Sequence, residues 1–291
     1  MSAITASAVK ELRDKTGVSM MACKKALEET SGDVQAAVEL LRKRGEAVAQ
    51  KRSSHAATEG RILAGREGDF VGLVEVSAET DFTARNDDFG VFCKGVLNTI
   101  LTAHPSDMDT LLSATSKYLH SNTVAQASAD IVGKIGENIA VRRFSLSQAE
   151  EGTTIEKYIH GPGKIGVVVT LAHAGVASNE ALQNLANDLC LQIAAAAPVA
   201  VQSSDISEAV LAKEREIYKE QAANEGLPEA KISMVIEGRV KKFLKEAALV
   251  EQLFVKDNKQ TITKVIEQVG KDVGATVNVV SFVRWQLGES L

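Results

Sequence analysis

The chain has 291 residues, of which 45% are hydrophobic and 24% charged, and its formal net charge is −5. This length predicts two or three domains, and the composition is that of an ordinary globular protein. A chain with net negative charge lacks the basic face of a general nucleic-acid binder, so we expect no direct contact with nucleic acid. No apolar run reaches the roughly 20 residues of a membrane span, so we expect no membrane association.

The cysteines lie far apart in the sequence, and each falls within an apolar pattern: Cys23, Cys93 and Cys190. This pattern predicts reduced, buried thiols of a cytosolic protein rather than disulfides. The N-terminus lacks the patterns of a secretory signal and of an Arg-rich presequence. We therefore expect a cytoplasmic protein.

The N-terminal region, from Ser7 to Arg44, has the pattern of three short helices. Their inward faces are predicted by apolar residues at helical spacing: Val9 and Leu12; Met20, Cys23 and Leu27; Val34, Val38 and Leu41. Met20 and Met21 are adjacent, so one helix face cannot bury both well. Either one is core and the other incidental, or the pair is an adaptable contact surface. The next segment, 45–60, is interpreted as a linker or a loosely held helix end.

A weak internal repeat follows, in which each copy is a β-hairpin followed by a covering helix. The predicted elements are, in the first copy, strands 61–65 and 70–77 and helix 89–101, and in the second, strands 154–160 and 165–171 and a helix that ends at 197–198. Two such units predict a pair of related α+β subdomains.

Between the copies, residues 109–129 are predicted to be helical and 139–143 to be a strand. After the second copy, helices at 207–223 and 229–248 form an antiparallel hairpin, in which Gly226 ends the first helix and Pro228 opens the second. Its narrow apolar seam and heavy charge indicate that it projects from the body. The C-terminal segment, 276–285, is predicted to be a strand that returns to the second subdomain's sheet.

The connection after the first hairpin places an acid beside a large aromatic ring, at Asp81 and Phe82. The corresponding loop of the second copy, 174–179, carries only bland residues at these positions. A loop needed only for folding would have no reason to differ in this way, so we interpret Asp81 and Phe82 as functional. The alternative is an N-cap acid with a ring tucked beneath its own helix.

The sequence patterns of catalysis and nucleotide binding are missing. There is no phosphate-binding or dinucleotide-binding glycine motif, and Gly161–Lys164 joins two strands, which favours a hairpin turn over a phosphate cradle. The histidines are His55, His104, His120, His160 and His173. They show no metal-ligand spacing, and no nucleophile elbow is present. We therefore expect a binding protein that is not an enzyme and has no metal or cofactor of its own.

Five segments carry a family resemblance: 12–27, 75–82, 134–143, His160-Gly161 and 237–243. Together they resemble the elongation factor Ts family, the guanine-nucleotide exchange factors of elongation factor Tu, over essentially the whole chain. The chain departs from the family pattern at Thr83, where an apolar residue is usual, and at Leu253, where proline is usual. It also ends at Leu291 without the additional helical module that some members carry.

The resemblance implies an α+β fold with small antiparallel sheets. The implied domains are an N-terminal three-helix domain similar to ubiquitin-associated domains with its linker (1–54), a first core subdomain (55–147), a second core subdomain (148–204 and 249–291) and an inserted helical hairpin (205–248).

The resemblance also implies a mechanism, in which Asp81 and Phe82 enter the GTPase domain of elongation factor Tu, disturb its Mg²⁺ and phosphate region and accelerate GDP release. The residues that it assigns to partner contacts are Arg13, Met20, Met21, Lys24, Thr80, Asp81, Phe82 and His160. The four residues of the N-terminal helices are expected near the nucleotide, and His160 on another partner domain. From the residues alone, His160 could equally be a strand-end residue that is satisfied locally.

A second hypothesis is a non-enzymatic adaptor, whose N-terminal helices bind ubiquitin-like or other helical partners and whose hairpin forms a homodimer. The two hypotheses differ over the Thr80–Phe82 turn, which an adaptor does not need. An enzyme is the third hypothesis, weakened by the lack of any nucleophile–base or metal arrangement.

Overall fold

The computed structural model describes residues 4–119, 123–225 and 228–291, and within them the chain is a mixed α+β protein, as predicted. Two compact units are present. The first comprises Met1–Ser147, Ile159–Ile165 and Trp285–Leu291, and the second comprises Gln148–Tyr158 and Gly166–Arg284. His120 and Gly226, which entered the sequence interpretation, lie outside the described residues.

The first unit begins with three helices, α1 (Ala6–Thr16), α2 (Met20–Glu29) and α3 (Val34–Arg52). Each has a capping residue whose side-chain oxygen accepts a backbone N–H of the first turn: Thr5, Ser19 and Asp33. Their shared core includes Leu12, Cys23, Leu27 and Leu41. Because α3 continues to Arg52, the first half of the segment interpreted as a linker or helix end is regular helix.

A three-stranded sheet follows, with strand order β1 (Glu59–Glu67), β2 (Phe70–Ala78) and β3 (Ala140–Gln148). β1 and β2 form an antiparallel hairpin whose pairing runs without a break from Glu59 opposite Ala78 to Glu67 opposite Phe70. A short helix, α4 (Asp81–Arg85), leads from β2 into α5 (Asp87–Ala103). The long apolar stripe of α5 packs on this sheet, as its periodicity predicts.

The segment predicted as one helix over 109–129 is wrong in detail. The structure has α6 (Met108–Ser113) and α7 (Val124–Ile135), and the residues described between them, 114–119 and 123, are not helical. Thr123 caps the start of α7, and the Oγ of Ser116 lies 2.6 Å from the Oγ1 of Thr99 on α5. The Oγ of Ser116 also accepts the backbone N–H of Tyr118 at 3.2 Å. A side-chain-to-backbone hydrogen bond of this kind competes with the backbone bonds of a helix.

The second unit is built mainly on a hairpin of β4 (Thr153–His160) and β5 (Ile165–His173), followed by α8 (Glu180–Ala196). The elements after α8 are α9 (Glu208–Asn224), α10 (Glu229–Ala247), β6 (Leu253–Phe254), β7 (Asp257–Thr261), α11 (Ile262–Val273) and β8 (Val277–Gln286). Helices α9 and α10 pack against each other, which confirms the helical hairpin. β8 completes the second sheet in the order β4-β5-β8, so the predicted return of the C-terminal strand is confirmed.

The predicted internal repeat is visible in the helices that follow the two hairpins. Both α5 and α8 have 17 residues, and each ends at a non-glycine residue in the left-handed conformation, His104 with φ 49° and Ala197 with φ 45°. A proline follows each of these residues, at 105 and 198, and proline cannot continue a helix. The two copies therefore share their termination chemistry as well as their element order.

The cysteines Cys23, Cys93 and Cys190 are free and buried, as predicted. Burial raises the pKa of the Cys93 thiol, and it raises the pKa of Cys190 to about 12. Among the described residues, no helix is both long enough and apolar enough to cross a membrane.

Candidate functional site

The Thr80–Phe82 turn leads from the buried central strand β2 into the short helix α4, of which Asp81 and Phe82 are the first two residues. The Oγ1 of Thr80 accepts the N–H of Thr83 at 3.3 Å, so Thr80 rather than Asp81 is the N-cap residue. At the other end, Asn86 terminates α4 and caps α5 by accepting the N–H of Asp88 at 2.8 Å. The start of α4 is thus fixed by the side chain of Thr80, and its end by the backbone N–H of Asn86, which donates to the oxygen of Thr83.

Phe82 projects from this helix into solvent, with 83% of its surface exposed. Its neighbours Thr83 and Ala84 are buried, so the inner side of α4 is occupied by small residues and the ring is left outside. A ring this exposed contributes little to packing within this chain. The alternative interpretation of a ring tucked beneath its own helix is therefore wrong. The buried position of Thr83 also accounts for the apolar residue that is usual there.

Asp81 presents its carboxylate next to this ring. Its Oδ2 lies 2.9 Å from the Nη2 of Arg85, one turn further along α4, and both side chains are substantially exposed. An exposed ion pair of this kind adds little stability and exchanges partners easily. Asp81 can therefore offer a hydrogen-bond acceptor or a negative charge to an incoming molecule.

The carboxylates of Glu137 and Glu79 link the Thr80–Phe82 turn to the segment that follows α7. The Oε1 and Oε2 of Glu137 accept the hydroxyl and the N–H of Thr80, at 2.7 and 3.1 Å. In the opposite direction, the Oε1 of Glu79 accepts the N–H of Asn138 at 2.6 Å. Each segment thus receives hydrogen bonds from the backbone of the other.

Glu79 is further surrounded by basic groups. The Nη1 of Arg52 lies 3.2 Å from its Oε2, and the Nδ1 of His55 lies 3.5 Å from the same oxygen. The hydrogen bond from the N–H of Asn138, together with the charge of Arg52, holds the pKa of Glu79 below its ordinary value although burial opposes this. The carboxylate beside the turn is therefore held in its charged form.

The four predicted residues of the N-terminal helices are all exposed: Arg13, Met20, Met21 and Lys24. Met20 and Met21 retain 44% and 64% of their surface, so neither is core, and the prediction that Met20 faces inward is wrong. Ser19 starts α2 immediately before them, which leaves both methionines in the first turn, beyond the stripe that begins at Cys23. They belong to the same compact unit as the Thr80–Phe82 turn.

His160 lies at the exposed end of β4, beside the turn that joins β4 to β5. This turn contacts β1, because the N–H of Ile62 donates to the oxygen of Gly163 at 2.9 Å and Lys164 pairs with Glu59 at 2.7 Å. Gly161 and Gly163 have positive φ, as a tight hairpin turn requires. The glycine-rich segment is thus a structural turn, and it does not open a helix that could bind phosphate.

A cavity of about 500 Å³ lies between the N-terminal helices and the helices α5 and α7 of the same unit. Its lining includes Val18, Leu41, Phe92 and Ile131, together with Val91, which is 59% exposed. Among the described residues, no group of three or more His, Cys, Asp or Glu side chains is arranged to hold a metal ion.

Sequence reasoning missed the supporting residues Glu79, Glu137 and Asn138. All three lie in segments that carry the family resemblance, yet their roles depend on pairs of residues 57 and 59 positions apart. No local pattern reveals such a pairing. The sequence offered only two acids, Glu79 beside the Thr80–Phe82 turn and Glu137 before β3.

Comparison with known proteins identifies the family. The pattern of the family described as "Elongation factor TS" matches residues 79–289. Proteins named "Elongation factor Ts" are 42% identical in Clostridium acetobutylicum, over 99% of this chain and 94% of that protein, and 41% identical in Clostridium perfringens over the same shares. The protein of that name in Chloroherpeton thalassium is 40% identical over 99% of this chain and its own full length. This chain therefore belongs to the elongation factor Ts family, a family of translation elongation factors.

Proposed function

We propose that this chain is a non-enzymatic guanine-nucleotide exchange factor, which binds elongation factor Tu and accelerates release of its GDP during translation elongation in the cytoplasm. The observation that carries the proposal is the exposed Phe82 ring on a capped helix, with the Asp81 carboxylate beside it. Family membership supports the choice of partner, because the elongation factor Ts family resembled by this chain is that of the exchange factors of elongation factor Tu.

In the proposed mechanism, Phe82 acts as a wedge in the GTPase domain and Asp81 as a competing acceptor near its Mg²⁺ and phosphates. Mg²⁺ tolerates little departure from octahedral geometry, and its loss removes the main neutraliser of the phosphate charge. By linkage, if this chain lowers the partner's affinity for nucleotide, then bound nucleotide lowers the partner's affinity for this chain by the same ratio. The direction of exchange then follows the nucleotide concentrations and is independent of the factor.

The remaining predicted contacts complete this proposal. We assign the exposed residues Arg13, Met20, Met21 and Lys24 to the GTPase domain near the nucleotide, and His160 to another domain of the partner. Methionines suit such a surface because their flexible, polarisable side chains adapt to a partner's shape.

The test is the release rate of a fluorescent GDP analogue from elongation factor Tu in the presence of excess unlabelled nucleotide. Wild-type chain should accelerate release, and the double variant Asp81→Ala/Phe82→Ala should lose that acceleration. Because Phe82 is exposed, the double variant should keep its melting temperature. The matched control is Val280→Ala, which truncates another exposed apolar side chain, on β8, and should exchange nucleotide as the wild type does.

Failure of the wild type to accelerate release from a cognate partner would refute the exchange proposal. If the chain then still bound a helical or ubiquitin-like partner through its N-terminal helices, the adaptor hypothesis would stand in its place. A large loss of thermal stability in the double variant would instead reassign Phe82 to a structural role.

A further inference from the structure

The Thr80–Phe82 turn is held by an acid that belongs to a different part of the chain. Glu137 follows α7 and directs both of its carboxylate oxygens at one residue, accepting the hydroxyl of Thr80 at 2.7 Å and its N–H at 3.1 Å. A carboxylate that accepts two donors from a single residue fixes both the backbone and the side-chain rotamer of that residue.

The hydroxyl of Thr80 transmits this restraint to α4. It donates to Glu137 and at the same time accepts the N–H of Thr83 at 3.3 Å. A hydroxyl has one proton, so donation to Glu137 orients its lone pairs toward the helix. The three groups therefore form a chain of hydrogen bonds in which each bond strengthens the next.

The orientation of Phe82 depends on this chain of hydrogen bonds. The ring is 83% exposed, so packing contributes little to its direction. The helix that carries it has only five residues, which is far below the length at which a helix is stable by itself. The cap at Thr80 and the acid behind it thus hold the backbone from which the ring projects.

We propose that Glu137 is a positioning residue for nucleotide exchange, which sets the direction of Phe82 through the hydroxyl of Thr80. Thr80, which the family resemblance assigns to partner contact, then acts mainly by transmitting this restraint. The inference rests on the proposed exchange function and adds to it a residue that does not touch the partner. A second bond links the same two segments: Glu79, next to Thr80, accepts the N–H of Asn138, next to Glu137.

The first experiment uses the free protein and needs no partner. Glu137→Gln keeps the side-chain shape but replaces one acceptor oxygen with an N–H₂ donor that faces another donor. Amide hydrogen exchange, read by mass spectrometry, should rise at residues 79–84, while the melting temperature stays within a few degrees. Glu67→Gln, at the exposed turn between β1 and β2, is the matched control and should leave this segment unchanged.

The second experiment measures GDP release from elongation factor Tu as a function of the concentration of this chain. Glu137→Gln should lower the maximal rate about tenfold, as expected when one charge-assisted hydrogen bond is lost, and should leave the half-saturating concentration nearly unchanged. Thr80→Val should show the same loss, and Thr80→Ser, which keeps the hydroxyl, should retain most of the wild-type rate.

A double-mutant cycle separates positioning from general damage. If Glu137 acts through Phe82, then Glu137→Gln should have no further effect in a Phe82→Ala background. An equal loss in both backgrounds, or unchanged hydrogen exchange at residues 79–84, would overturn the inference. If the wild type itself fails to accelerate release, the proposed function has failed, and the inference about positioning falls with it even where the free protein shows the local loosening.

Discussion

Gly45 of α3 and Gly133 of α7 meet backbone to backbone in the first compact unit. A Cβ atom added at Gly133 would lie 2.8 Å from the Cα of Gly45, closer than side-chain atoms approach a neighbouring backbone. A Cβ at Gly45 would lie 3.2 Å from the oxygen of Ala129. The two glycines therefore allow α3, and with it the N-terminal helices, to pack directly on the helix that precedes Glu137.

The first prediction is that Gly133→Ala destabilises the protein. An extra methyl group in such a contact costs about 1–3 kcal/mol, which exceeds the gain of up to about 1 kcal/mol in helix propensity. Differential scanning calorimetry should show a lower melting temperature for the transition that includes the N-terminal helices.

The control for this prediction is Gly238→Ala in α10, where an added Cβ meets nothing within 4 Å. At this position alanine gains helix propensity without a steric clash, so the variant should be slightly more stable than the wild type. Two variants that are stabilised alike would show that the α3–α7 contact is looser than the structure indicates.

The second prediction concerns Glu75, which is fully buried in β2. Its carboxylate accepts hydrogen bonds from Arg142 at 2.8 Å, from Arg143 at 2.7 Å and from the N–H of Gly288 at 3.1 Å. Glu75→Gln removes the charge that two partly buried guanidinium groups share, and such a loss costs about 3 kcal/mol. Chemical denaturation should show this loss, and hydrogen exchange should become faster at residues 285–291.

The matched control is Glu11→Gln, which breaks the exposed pair with Lys15 on α1. Exposed pairs contribute little, so its denaturation midpoint should match that of the wild type. If the buried and exposed variants behaved alike, the Glu75 cluster would not be what holds the C-terminal residues to the first sheet.

The third prediction is a pH dependence that arises from Glu79. Its pKa is lowered in the folded protein, chiefly by the N–H of Asn138 and the charge of Arg52, so on acidification the unfolded chain takes up the proton first. The stabilisation is therefore complete above the ordinary glutamate pKa of about 4.3 and is lost as the pH falls through the lowered value. The melting-temperature difference between wild type and Glu79→Gln should shrink below about pH 4.3.

Comparison of two proteins at each pH cancels the contributions of the other carboxylates, such as Glu29 and Asp107, whose pKa values are also lowered. A difference that stayed constant down to acid unfolding would contradict the role assigned to Glu79.

The fourth prediction is that the native protein reacts slowly with thiol reagents. At pH 8, a pKa of about 12 leaves roughly one Cys190 thiol in ten thousand ionised, and only the thiolate reacts. Titration with a chromogenic disulfide should report no fast-reacting thiol in buffer and all three in concentrated guanidinium.

Mass spectrometry can locate the first site to react. Cys23 lies in the small core of the N-terminal helices, and small cores open more readily than large ones. We expect Cys23 to be modified before Cys93, which lies in the larger core under α5. Modification of Cys93 first would mean that the α5 core is the less stable of the two.

Features that depend on local sequence pattern could be predicted without the structure. The apolar stripe of α5 was read from its spacing, because residues three and four apart lie on one helix face whatever surrounds them. The same reasoning found the two hairpins, the buried thiols and the unusual pair Asp81 and Phe82. The same reasoning failed at Ser116, whose side chain accepts the nearby backbone N–H of Tyr118 within the segment that was predicted to be helical.

The packing of distant segments determines which groups hold the Thr80–Phe82 turn. The acid that holds Thr80 is 57 residues away, and the N–H of Gly288 that binds Glu75 is 213 residues away. It also decided that Met20 and Met21 both face solvent. Periodicity tells which face of an element is apolar, but the partner of a polar group is fixed by how distant segments pack, and no local pattern encodes that packing.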